Sequence, residues 1–207
     1  MVKKSVDLII SGVGGQGVIL LSTMIGRAAI NEGLDVKIAE THGLAQRGGS
    51  VVSHVRIGRN IFSPLIPIGQ ADAVIGLEPL EAARYVSFIQ PGSGVIIFNI
   101  KRVLPLPVRL GTESYPSIES LITILRKYSS CIYPIDADQI AEKVGNIRTS
   151  NIVMLGALAA SLRLPFSIES LKAVVMRDAP KGTENANLLA FTLGVRVMKH
   201  LIAGRSL

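Results

Sequence analysis

The chain has 207 residues, a formal net charge of +7, and only 18% charged residues beside 48% hydrophobic ones. That is too apolar for a disordered chain and long enough to bury a core without staples. The single cysteine, Cys131, excludes an internal disulfide and any all-cysteine metal or iron–sulfur site.

In chain order, Val6–Ser11 is a short apolar run ending in glycines, the form of a buried strand. Because it carries Asp7 and runs straight into a glycine turn, it reads as a first strand and not as a signal peptide, which places the protein in the cytoplasm. Val18, Leu21, Ile25, Ala28 and Ala29 recur at helical spacing, predicting a helix from Gly15 to about Glu32 that Asn31-Glu32-Gly33 stops. Asp35–Glu40 is the next strand, so strand, turn, helix and strand predict a parallel pair joined by a right-handed crossover. Thr41 to Gly49 breaks the pattern. Ser50–Ile57 and Ile61–Phe62, separated by Gly58-Arg59-Asn60, predict an antiparallel hairpin.

Asp72–Leu77 is a further buried strand; Leu80–Phe88 is a helix started at Pro79 and ended by Pro91-Gly92; Gly94–Asn99 is a strand. Pro105, Pro107 and Pro116 make Val103–Pro116 an extended loop or a poor edge strand. Ser117–Lys127 reads as a helix and Cys131–Ile135 as a strand, with Cys131 a small core residue. Asp136 caps a helix through Val144. From Thr149 onward the pattern is helical. Asn151–Leu162 is apolar on every side and therefore buried, Ser167 opens a helix through Met176, and Leu188, Phe191, Val195, Met198 and Ile202 form one stripe on a last helix. No apolar run reaches the ~20 residues that a bilayer crossing needs. The expectation is one unit over 1–207: an α/β core over 1–148 with a mostly parallel sheet and an antiparallel hairpin, and a helical C-terminal part over 149–207.

The basic charge invites a nucleic-acid reading, but Lys and Arg are scattered in ones and twos, and no aromatic run offers a stacking platform. An acidic protein partner or an anionic ligand accounts for the excess equally well.

Two glycine loops carry the chemistry. Gly12-Val13-Gly14-Gly15-Gln16-Gly17 fits the dinucleotide fingerprint between a strand and a helix, with Glu40 near the place of a ribose-binding acid. Taken alone it points to a free-standing NAD(P)- or FAD-binding enzyme, yet the same glycines serve any tight strand-to-helix turn. The three histidines, His42, His54 and His200, form no evident acid–base pair. The second loop, residues 41–50, sets Gln46 and Arg47 beside Gly48-Gly49, where a guanidinium and backbone amides can grip a phosphate or carboxylate, or an acid across an interface. His42 is the one candidate for proton transfer near neutral pH. His54, on a strand, reads as a structural histidine. Asp136-Ala137-Asp138 is a helix cap, and no metal-ligand set is evident.

These two loops, with Ser63-Pro64-Leu65-Ile66-Pro67, Leu77-Glu78-Pro79-Leu80-Glu81-Ala82 and Asn151-Ile152-Val153-Met154-Leu155-Gly156-Ala157-Leu158, resemble the gamma-type subunit family of 2-oxoacid:ferredoxin oxidoreductases, in its archaeal two-subunit form. The resemblance implies a Rossmann-like domain, with Gly12, Gly14, Gly15, Gln16, Gly17, Gln46, Arg47, Gly48 and Gly49 at its cofactor-facing or docking surface. It implies a chain that binds no cofactor alone and docks on a large subunit holding thiamine diphosphate, magnesium and [4Fe-4S] clusters. That complex would decarboxylate an arylpyruvate, pass the acyl group to coenzyme A and the electrons to ferredoxin, with neither nucleic acid nor membrane as a partner. The segment from Lys101 to Tyr115 departs from the family pattern and carries no substrate information.

Overall fold

Strand β1 (Ser5–Val13) is buried from Asp7 onward, because both of its faces are covered. In the computed structural model, which describes residues 5–40, 48–161 and 164–204, it lies inside a six-stranded sheet. The other strands are β2 (Asp35–Glu40), β3 (Ser50–Gly58), β4 (Ala73–Gly76), β5 (Val95–Asn99) and β6 (Cys131–Ile135), in the spatial order β2-β3-β1-β4-β5-β6. Strands β1, β4, β5 and β6 run parallel, while β3 is antiparallel to both β1 and β2.

Two expectations are corrected here. Strands β1 and β2 point the same way but are not a pair, since β3 lies between them, with Val55 opposite Leu8 on one side and Ile38 on the other. The burial pattern gives the reason. Strand β3 is buried on both faces and suits an interior position, whereas β2 keeps Asp35 and Lys37 exposed and suits an edge. The expected hairpin to Ile61–Phe62 does not form. Asn60, at φ 61, turns the chain away, and the following loop crosses the sheet, with Arg56 Nη1 donating to Ser63 O (3.2 Å) and His54 Nδ1 accepting from Ile66 N (3.2 Å). Strand β3 spends its edges on β1 and β2 instead.

The sheet is covered on both faces. Leu8 and Ile10 face a core shared with α1 (Val18–Asn31), α5 (Ala137–Val144), α6 (Ser150–Ala160), α7 (Ile168–Asp178) and α8 (Glu184–Ala203). Ile9, Val74, Ile96 and Phe98 face the other core, closed by α2 (Pro79–Arg84) and α4 (Ile118–Arg126). Local signals set the helix ends. Ser117, Asp136 and Ser167 each accept a backbone N–H of the first turn, and Gly145 closes α5 in the left-handed region. Cys131 is half-buried against the first core.

Helix α6 is buried all round apart from its first residue, as its uniformly apolar sequence requires. Its Gly156 and Gly194 of α8 let the two backbones touch: a Cβ on either would fall about 2.1 and 2.0 Å from a carbonyl oxygen of the other helix. The buried face of α8 is therefore Asn187, Ala190, Phe191, Gly194 and Met198, of which the expected stripe contains Phe191 and Met198. By length and composition alone, α8 is long and apolar enough to cross a membrane, contrary to the expectation from the sequence. One face of it, with Phe191, Gly194 and Met198, packs into the core. Residues expected to be wholly extended between β5 and α4 include a short helix, α3 (Leu106–Arg109).

Candidate functional site

Strands β1 and β4 are parallel neighbours whose following helices leave for opposite faces, α1 to one and α2 to the other. Such a switch point opens a crevice at the carboxyl ends of the strands, where α/β proteins place ligands. The first glycine loop lies there, and its polar groups are largely committed to one another. Gln16 Oε1 accepts from Val13 N (2.7 Å) and its Nε2 donates to Leu77 O (3.0 Å), so this side chain bridges the ends of β1 and β4. A Cβ on Gly12 would lie 3.0–3.1 Å from Gln16, Val18 and Leu77, a tight fit. Gly14 N donates to Gly49 O (2.8 Å) and Gly48 N donates to Gly14 O (3.3 Å), so the two glycine loops continue the β1–β3 ladder and are held together. Gly17 stands at φ 91 as the residue before α1, with the amide of Asn151 against its α-carbon, whereas Gly15, at φ 103, faces open space.

What remains open is a cleft of about 270 Å³ lined by Val13, Gly14, Gly15, Gly17, Val18, Ile19 and Val51. It is apolar apart from glycine backbone. Glu40 does not complete a ribose site: β3 separates its strand from β1, and its carboxylate accepts from Ser22 Oγ of α1 (2.7 Å). An adjacent strand adds ~4.8 Å to its distance from the glycine turn. His42, Gln46 and Arg47 lie outside the described residues. His54 accepts from Ile66 N, stacks edge-on with Phe88 at 5.2 Å, and titrates below its ordinary value because it is buried; it is a structural histidine. Asp136 caps α5 and Asp138 accepts from Asn99 Nδ2 (2.8 Å).

Sequence reasoning did not single out a buried acidic cluster beside these loops. Glu78 precedes α2, and its Oε2 accepts from Leu80 N (2.7 Å) and Glu81 N (3.0 Å). Its Oε1 accepts from Val103 N (3.2 Å) and from the Tyr115 hydroxyl. Desolvation raises the Glu78 carboxyl, against the lowering effect of these hydrogen bonds, and desolvation with the neighbouring carboxylate raises the Tyr115 phenol. Glu81, also buried, accepts from the Ser50 hydroxyl and from Arg84 Nε (3.3 Å), so it ties α2 to the start of β3. An acid directly before Pro-Leu-Glu is the signature of a capped helix with proline in its first turn, which is the signal that could have found Glu78.

A mostly parallel α/β sheet with one inserted antiparallel strand, its glycine turns bonded to each other, is the fold of the gamma-type subunits of 2-oxoacid oxidoreductases. The chain belongs to the pyruvate ferredoxin/flavodoxin oxidoreductase family, whose profile matches residues 7–197. Indolepyruvate oxidoreductase subunit IorB of Archaeoglobus fulgidus is 42% identical to it over 91% of this chain and 92% of its own length. The keto/oxoacid ferredoxin oxidoreductase gamma subunit of Geobacter sulfurreducens superposes with a TM-score of 0.68 at 25% identity, over 94% of this chain and 99% of that one. The fold also occurs within 2-oxoglutarate:ferredoxin oxidoreductase of Magnetococcus marinus, with a TM-score of 0.70 at 22% identity; the match covers 96% of this chain and 32% of that one.

Proposed function

We propose that this chain is the small subunit of an indolepyruvate:ferredoxin oxidoreductase, acting in the cytoplasm as a docking domain on a large subunit that holds thiamine diphosphate, magnesium and [4Fe-4S] clusters. The observation that carries the substrate is the 42% identity to an IorB subunit across 92% of that subunit's length. The assembled complex decarboxylates an arylpyruvate, joins the acyl group to the sulfur of coenzyme A, and sends the electron pair to ferredoxin. One cysteine is no donor set for a cluster, so the redox groups belong to the partner. A fold that makes up about a third of a longer oxidoreductase chain in one relative supports a division of labour between two chains in this one.

In this reading Gly12, Gly14, Gly15, Gln16, Gly17, Gly48 and Gly49 build the frame, and His42, Gln46 and Arg47 on the connecting loop meet the partner or coenzyme A. Internal satisfaction of Gln16 and Gly14 supports a frame over a pyrophosphate cradle. The chain alone is expected to oxidise no 2-oxoacid and to show no visible chromophore. Co-expression with its large partner is expected to give a brown complex that reduces a viologen dye with indolepyruvate and coenzyme A, and Arg47→Ala to weaken assembly or coenzyme A use while leaving the isolated fold intact. Failure to co-purify with any iron–sulfur protein, or micromolar binding of NAD, NADP or FAD by the lone chain, would overturn the proposal.

A further inference from the structure

We infer that residues 102–116 form a strap, latched to the body at Glu78, whose release opens the cleft over Gly48, Gly49 and Ser50. The ends of the strap are fixed. Ile100 N donates to Ile135 O (2.9 Å), Lys101 N to Asn99 Oδ1 (3.4 Å), and Ser117 caps α4. Between them the segment is organised within itself around α3: Arg109 N bonds to Pro105 O (3.0 Å), Leu110 N to Leu106 O (2.9 Å) and Thr112 N to Pro107 O (3.0 Å). It can therefore move as a unit.

Little holds it down. Among the described residues, every hydrogen bond from 102–116 to the body ends at Glu78 or at the amide beside it. Val103 N and the Tyr115 hydroxyl both donate to Glu78 Oε1, and Leu80 N donates to Tyr115 Oη (3.2 Å). Apolar burial adds little, since Leu104, Leu106 and Leu110 are exposed and no side chain of α3 is buried. Segments with few buried contacts and one polar anchor open at low free energy.

The two oxygens of Glu78 divide the work. Oε2 caps α2, while Oε1 holds the strap, so the latch can open without uncapping the helix. Beneath the strap is a cleft of about 280 Å³, between Val103, Pro105, Leu106 and Pro107 on one side and Gly48, Gly49 and Ser50 with Glu81 and Arg84 on the other. Opening the strap bares the start of β3 and the described end of the second glycine loop. This holds whatever 2-oxoacid the complex takes.

The test compares wild type, Tyr115→Phe and Glu78→Gln in the full chain. Glu78→Gln keeps a carbonyl oxygen for the α2 amides and serves if Tyr115→Phe fails to fold. Trypsin cleavage at the Arg102–Val103 bond is expected to rise about tenfold on loss of the latch, with cleavage after Lys143 and Arg196 unchanged. In a Cys131→Ser background, thiol labelling of Ser50→Cys is expected to rise by a similar factor. Equal cleavage at Arg102 in all three proteins, acceleration spread over the whole chain, or a Ser50→Cys thiol that reacts no faster when Arg102 is cut faster would each overturn the inference.

Discussion

At Gly17 the backbone stands at φ 91, and a Cβ built there would lie 2.2 Å from Asn151 Nδ2. At Gly15 the backbone is also left-handed, at φ 103, but nothing lies within 4 Å of the same construction. An L-residue in that conformation costs about 1–2 kcal/mol, and a clash with a buried amide adds to it. Gly17→Ala is therefore expected to lose about 3 kcal/mol, or about 6–12 °C in Tm, and Gly15→Ala about 1–2 kcal/mol, or about 2–8 °C. Melting both variants by circular dichroism checks the difference; equal losses would mean that Asn151 yields at no cost.

His54 sets a pH dependence at the same scale. Its pKa in the folded protein is lowered from 6.5 by burial, and its Nδ1 must stay unprotonated to accept from Ile66 N. As the pH falls below about 6.5, the unfolded chain takes up the proton first, so stability is fully present above that value and is lost on acidification. His54→Asn, which retains an acceptor but does not titrate, is expected to flatten the dependence between about pH 7 and 5. Urea midpoints across that range test it. An unchanged slope would assign the acid sensitivity to other groups.

Among the elements, the contact of α6 with α8 is the most exacting. Gly156 and Gly194 allow helix backbones to meet, and a single methyl on either would enter a carbonyl oxygen of the opposite helix. Neither helix can retreat freely, because the remaining sides of α6 are buried against the sheet and α5. Gly156→Ala or Gly194→Ala is expected to cost about 3 kcal/mol, while Leu189→Ala on the exposed side of α8 changes Tm by little. Equal Tm shifts at Gly156 and Leu189 would show that the helices separate cheaply. The glycines were visible in the sequence but not their role, since helical spacing marks which residues are apolar and not how close the partner helix comes. Caps were legible for the opposite reason: Ser117, Asp136 and Ser167 act on amides of the first helical turn that follows each of them in the chain.

For the whole molecule, periodicity and turn residues in the sequence were enough for an α/β chain with a helical end, and the quoted motifs were enough for the family. Those are local properties, carried by neighbours within a turn or a strand. Only the tertiary structure decided that β3 enters between β1 and β2, that Gln16 joins β1 to β4, and that Glu78 and Tyr115 meet across 37 residues. Each depends on which strand buries both faces, or on which loop returns to a given helix end. Burial and long-range hydrogen bonding are settled by competition among distant segments, so residue spacing along the chain does not record their outcome.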